Sequence, residues 1–130
     1  MKAAVWDASA LLLLLQQEPG WQKLGPRLQD SVMSSVNLSE VAAKLIESGG
    51  APGMTREVLD GLSIEIHDFT AGLAFRAAEL RAPTRNLGLS LGDRACLALG
   101  LSLDSPILTC DRAWLKLDLG VAIEFVRPRD

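Results

Sequence analysis

Short apolar runs that stop at a polar residue and give way at once to a helical pattern recur along the whole chain. Ala3 to Trp6 stops at Asp7, and Ala8 to Gln17 then reads as a helix closed by Pro19-Gly20. Val32 to Val36 stops at Asn37. From there Leu38, Val41, Ala42, Leu45 and Ile46 have the i, i+3, i+4, i+7, i+8 spacing of one buried helix face, which ends at Gly49-Gly50. Ile107 to Cys110 stops at Asp111, before a short helix through Lys116. Further helices are expected over Trp21 to Gln29, about Thr55 to Leu62 and Ala71 to Ala82, the last stopped by Pro83. Ile64 to Ile66 and Val121 to Val126 read as strands. Leu91 to Leu103 is apolar nearly all the way round, with only Asp93, Arg94 and Ser102 polar, and predicts a helix buried on most sides. Strands alternating with helices, without repeats, predict a parallel sheet covered on both faces. In that architecture the carboxyl ends of the strands and the amino ends of the following helices share one edge, where ligands bind.

A chain of 130 residues, 48% hydrophobic and 22% charged, has the composition and length of one soluble domain spanning 1–130. Its formal charge of −3 supplies no overall positive field to attract a polyanion, so any nucleic-acid contact has to be local. Cys96 and Cys110 lack Cys-x-x-Cys or His-paired spacing, which argues against zinc and for reduced thiols. The apolar opening is interrupted by Asp7, no small-residue cleavage site follows Leu15, and the longest apolar run, Ala10 to Leu15, is too short to span a bilayer. A cytoplasmic protein without a membrane segment is the expectation.

Four carboxylates stand at expected helix starts: Asp7, Glu40, Asp93 and Asp111. Capping explains each one singly: Asp7 and Asp111 follow apolar strands, while Asn37-x-x-Glu40 and Ser90-x-x-Asp93 have the spacing of capping boxes. The set says more. Four helix starts on one sheet edge bring four carboxylates into one crevice, where mutual repulsion raises the cost of ionisation and a bound cation removes that cost. Hard ions such as Mg²⁺ or Mn²⁺ suit such oxygen donors. A site of this kind runs phosphodiester hydrolysis through a metal-activated water, with no side-chain nucleophile. Asp93, at the mouth of the most apolar helix, is the hardest of the four to dismiss as a cap. Glu40 lies opposite its helix's apolar stripe, where a solvated pair with Lys44 would look the same.

The segments VWDASALL around Asp7, SSVNLSEVAAKL around Glu40, LSLGDRACLALGL around Asp93 and ILTCDRAWLKL around Asp111 resemble, in order and spacing, the four acidic motifs of the PIN domain. The chain is similar in size to the VapC-like toxins of bacterial and archaeal toxin–antitoxin pairs. The resemblance implies a PIN-like three-layer α/β/α sandwich with a central, mostly parallel sheet of about five strands. It also implies Mg²⁺- or Mn²⁺-dependent cleavage of RNA, homodimerisation, and a cognate antitoxin whose tail occupies the acidic groove. Carried over by position, Asp7, Asp93 and Asp111 would hold the metal, Glu40 would help or orient the attacking water, and Ser9 and Thr109 are the hydroxyls that often accompany them. Gly92 departs from the pattern, in which a small non-glycine residue is commoner, and predicts a looser helix start at Asp93. A catalytically silent PIN-like module that binds a protein or RNA is the rival reading, and retention of all four acids counts against it.

Arg94, Arg112 and Lys116 lie beside Asp93 and Asp111 in sequence and are candidates to hold substrate phosphates. Arg127 and Arg129 are expected to belong to a frayed terminus rather than to an RNA contact. Gly88-Leu89-Ser90-Leu91-Gly92 matches the string of a serine-hydrolase nucleophile elbow, but no strand precedes it and the single histidine, His67, comes before the serine. Ser90 is therefore read as a helix cap. The leucines 11–15 and the three tryptophans are expected in the core or at an interface.

Overall fold

The computed structural model describes residues 3–126, so Arg127 and Arg129 lie outside the described residues. Five strands, β1 (Ala4–Trp6), β2 (Ser31–Ser34), β3 (Glu65–His67), β4 (Ile107–Thr109) and β5 (Ile123–Phe125), form one sheet in the order β3-β2-β1-β4-β5. Every neighbouring pair is parallel, with Val5 of β1 in register with Val32 on one side and Ile107 on the other. Helices α1 (Ala8–Leu15), α2 (Ser35–Glu47), α3 (Pro52–Asp60), α4 (Ala71–Glu79) and α5 (Leu91–Leu103) make the crossovers. The chain moves outward from β1 to β2 and β3, then returns to the other side of β1 through β4. The carboxyl ends of β1 and β4 thus lie side by side where the winding reverses, the place at which open α/β sheets bind ligands.

The two-residue period of the strands sorts the core. Ala4 and Trp6 of β1, with Met33 and Leu108, pack against Leu11, Leu13 and Leu14 of α1, Val41 of α2 and Leu59 of α3. Val5, Val32 and Ile107 point to the opposite face, against Ala77 of α4 and Leu80 just after it, Cys96, Leu97 and Leu99 of α5, and Trp114. Three layers follow, with α1 to α3 on one face and α4 and α5 on the other. The leucine run is in the core, as expected: Leu11, Leu13 and Leu14 are buried, and Leu12 and Leu15 pack against them. Gly100 allows α5 its close approach to β4, because a Cβ there would come within 2.7 Å of Ile107 Cδ1. Among the described residues no helix is long and apolar enough to cross a membrane.

Two sequence expectations fail locally. The helix expected over Trp21 to Gln29 is two 3₁₀ segments, Trp21–Lys23 and Gly25–Asp30. Gly25-Pro26 splits it, since proline has no N–H to donate to an α-helical ladder. The second strand stops at Ser34 rather than at Asn37: Ser34 is extended and its hydroxyl accepts from the Val36 amide, so α2 begins at Ser35 and Asn37 lies within its first turn. By contrast α5 spans Leu91–Leu103 as read from the sequence, opened by a complete Ser90/Asp93 capping box.

Candidate active site at the carboxyl edge of the sheet

Asp7 follows β1 directly and caps α1. Its Oδ1 accepts from the Ala10 amide at 3.0 Å and from Ser9 Oγ at 2.7 Å, and its Oδ2 accepts from Thr109 Oγ1 at 2.6 Å. Each hydroxyl is also an acceptor: Ser9 Oγ takes the Cys110 amide and Thr109 Oγ1 takes the Asp111 amide, both at 3.0 Å. An amide can only donate, so each hydroxyl proton is directed at Asp7, and an ionised carboxylate is the partner that accepts both. These bridges join the ends of β1 and β4 and tie the Asp111 backbone amide, through Thr109, to Asp7.

Asp7 is nonetheless only 5% exposed, and no lysine, arginine or histidine pairs with it among the described residues. Burial pushes its carboxyl up to about 6. The bonds from Thr109, Ser9 and Ala10 oppose that rise, and the charge of Asp93 adds to it. The buried Cys96 thiol of α5 is likewise pushed up, first by burial and then by Asp7, Asp93 and Glu40, so three acids from separate elements act on one point beneath the sheet edge.

The other three carboxylates are engaged locally. Asp93 Oδ2 accepts from the Ser90 amide at 3.0 Å, closing its capping box. Asp111 Oδ1 accepts from the Ala113 amide at 3.0 Å and caps the 3₁₀ segment Arg112–Lys116. Glu40 Oε1 accepts from Asn37 Nδ2 at 2.8 Å, a side-chain pair rather than the reciprocal backbone box its spacing suggested. As placed, no three His, Cys, Asp or Glu side chains among the described residues stand close enough together to hold one ion. Each of these carboxylates accepts from a nearby N–H. The donor chemistry still fits a hard divalent ion: a buried carboxylate without a cation, a second acid raising the cost of its charge, and oxygen donors throughout.

The cationic candidates have mixed placements. Arg94 Nη1 donates to the Ala77 carbonyl at 3.1 Å, tying α5 to α4. The exposed Arg112 has its guanidinium 5.3 Å from the Phe125 ring centroid. Lys116 is exposed and lines a shallow cleft with Asn86, Leu87 and Asp118. His67 pairs with Glu65 on the edge strand β3 at 2.7 Å. Ser90 is spent as a cap.

Two residues acquire a role here that spacing did not reveal. Asn37 is buried, and its Nδ2 also donates to the Gly92 carbonyl at 3.1 Å, linking α2 to α5. Gly92 is buried beside Glu40, so the loose helix start expected of this glycine is replaced by a close contact that a side chain would block. The only sequence signal was that Gly92 departs from the family pattern at this position.

A model of the PIN domain matches residues 4–119. No curated protein matches the chain. Several solved structures do. VapBC from Salmonella typhimurium bound to DNA has a TM-score of 0.74 at 17% identity, over 98% of this chain and 100% of that one. VapBC2 from Rickettsia felis bound to a promoter DNA fragment has a TM-score of 0.72 at 16% identity, over 95% and 98% of the two chains. VapBC-5 from Mycobacterium tuberculosis, of the VapBC family of toxin–antitoxin systems, has a TM-score of 0.64 at 19% identity, over 98% and 99%. At these identities the likeness is one of fold.

Proposed function

The chain belongs to the PIN-domain family, and from that premise we propose that it is a metal-dependent endoribonuclease, the toxin of a toxin–antitoxin pair. The observation that carries the reading is Asp7: a carboxylate buried at the winding reversal, held by three donors, with no cationic partner among the described residues. A neutral cap such as Ser34 serves a buried helix start without the cost of burying a charge, and a bound cation would offset that cost at Asp7.

Asp7, Asp93 and Asp111 would hold Mg²⁺ or Mn²⁺, whose contribution when bound is to acidify a water and neutralise charge on the phosphoryl oxygens. Ser9 and Thr109 orient the Asp7 carboxylate and fix which lone pairs remain free. Asp93 and Asp111, which cap their own helices, would supply the remaining carboxylate oxygens. Glu40 would either assist these three or orient the attacking water. Arg112 and Lys116, both exposed, would meet the RNA phosphates, while Arg94, bonded to Ala77, ties α5 to α4. The structural relatives are toxin–antitoxin complexes, which supports a cognate antitoxin as the protein partner. A homodimer in the cytoplasm is the further part of this reading, and the dimer rests on the family resemblance alone.

Calorimetric titration of the purified chain with Mn²⁺ tests the site. Saturable binding that Asp7→Asn abolishes is expected, and absence of binding by the parent chain would favour the silent binding module.

A further inference from the structure

Glu40 is exposed on α2, where a free glutamate samples many rotamers, yet its carboxylate has a defined seat. Asn37, three residues earlier and only 1% exposed, gives one Nδ2 hydrogen to Glu40 Oε1 and the other to the Gly92 carbonyl. Both partners are acceptors, so the amide orientation is determined: the NH₂ must face them. The amide keeps this pose although its buried Oδ1 has no partner among the described residues.

Gly92 forms the floor of the seat. A Cβ there would lie 2.5 Å from both Cδ and Oε2 of Glu40, closer than the 3.0 Å below which real Cβ atoms are essentially never found. The obstructed atoms are the tip of a flexible side chain, so a methyl at 92 displaces the carboxylate and leaves the backbone of α5 in place. Glycine therefore gains nothing for the helix, where alanine is preferred, and its one evident effect is to admit Glu40.

We propose that Asn37 and Gly92 are positioning residues that seat the Glu40 carboxylate against the first turn of α5, at Gly92. The inference rests on the nuclease reading for what Glu40 then does; the seat itself stands on the contacts of Asn37 and Gly92. The oriented carboxylate adds a fixed acceptor to the acidic edge without spending one of its own backbone amides. Asn37 thus acts on the site through Glu40, in the manner of the outer-shell groups that fix the residues around a metal.

The test uses the full chain carrying Gly92→Ala, Glu40→Ala and both together, with Asn37→Ala as a variant that removes the donors without adding bulk. With Glu40 in place, Gly92→Ala and Asn37→Ala should each weaken Mn²⁺ binding and lower kcat for RNA by roughly tenfold while leaving KM unchanged. In the Glu40→Ala background, Gly92→Ala should alter neither by more than about twofold, since the group it displaces is gone. Unchanged Mn²⁺ affinity and kcat in both single variants, or an equal loss in the Glu40→Ala background, would overturn the proposal. Thermal unfolding in EDTA judges the seat without metal: the Tm change on Gly92→Ala should differ between the parent chain and the Glu40→Ala chain, and equal changes would overturn it. A parent chain that neither binds Mn²⁺ nor cleaves RNA would sink the nuclease reading, while the Tm comparison would still decide the seat.

Discussion

Replacing Asp7 with asparagine should stabilise the fold at neutral pH while removing activity. The ordinary carboxyl value is 3.8 and the folded value about 6, so between them the unfolded chain is ionised and the folded chain is protonated. Folding then takes up a proton, and stability falls as pH rises through that window, reaching its floor above about 6. At 1.36 kcal/mol per pH unit the difference amounts to about 3 kcal/mol at neutral pH, of which asparagine is relieved. Against this, the Asn Nδ2 would face Thr109 Oγ1, which already accepts from the Asp111 amide and would lose its own acceptor, a cost of roughly 1–2 kcal/mol. The net expectation is a variant about 1–2 kcal/mol more stable than the parent at pH 7.5, and less stable by about the same amount at pH 4, where the ionisation penalty on the parent has largely gone. Urea unfolding of both chains in EDTA, followed by the fluorescence of buried Trp6 and Trp114, measures this. A variant less stable than the parent at pH 7.5, or a difference that does not change between pH 4 and 7.5, would refute the reasoning.

Thr109→Val removes the shortest bond to Asp7 and strands the Asp111 amide, and should destabilise by roughly 1–3 kcal/mol, read by the same urea titration, and reduce cleavage of RNA. Gly100→Val forces a branched side chain onto Ile107 and should cost about 1–3 kcal/mol, or lower the soluble yield, with no specific effect on Mn²⁺ affinity. Arg27→Ala breaks a bidentate contact to Glu124 on β5 at 2.6 and 3.2 Å; because both partners are partly exposed, the loss should not exceed about 1 kcal/mol and should shrink in high salt.

The layers and the sheet direction were legible in the chain because they depend on local pattern: strand stops followed by helices leave few topologies. The bounds of α5 were legible for the same reason, Ser90 and Asp93 marking its start and apolar residues filling its length. The start of α2 was not, because Ser34, Ser35 and Asn37 are all good caps, and which of them is extended depends on β2 pairing with its neighbours. Asp7, Asp93 and Asp111 stand at the element starts that spacing marked, whereas Glu40 lies in the second turn of α2 because the helix begins at Ser35. The directions of the carboxylates were not legible: each is decided by the nearest amide or hydroxyl, and for Glu40 that donor is held by a carbonyl 55 residues from Asn37. Gly92 shows the same limit. Propensity alone makes it a weak helix start, and only the packing of α2 against α5 shows the space it leaves open.

The most direct measurement is cleavage of a mixed RNA substrate by the purified chain and by Asp93→Asn, each with Mg²⁺ and with EDTA. The account predicts cleavage by the parent chain in Mg²⁺ alone, with none in EDTA and none by the variant at equal folded concentration. Cleavage that survives the chelator, or that Asp93→Asn retains in full, would contradict it.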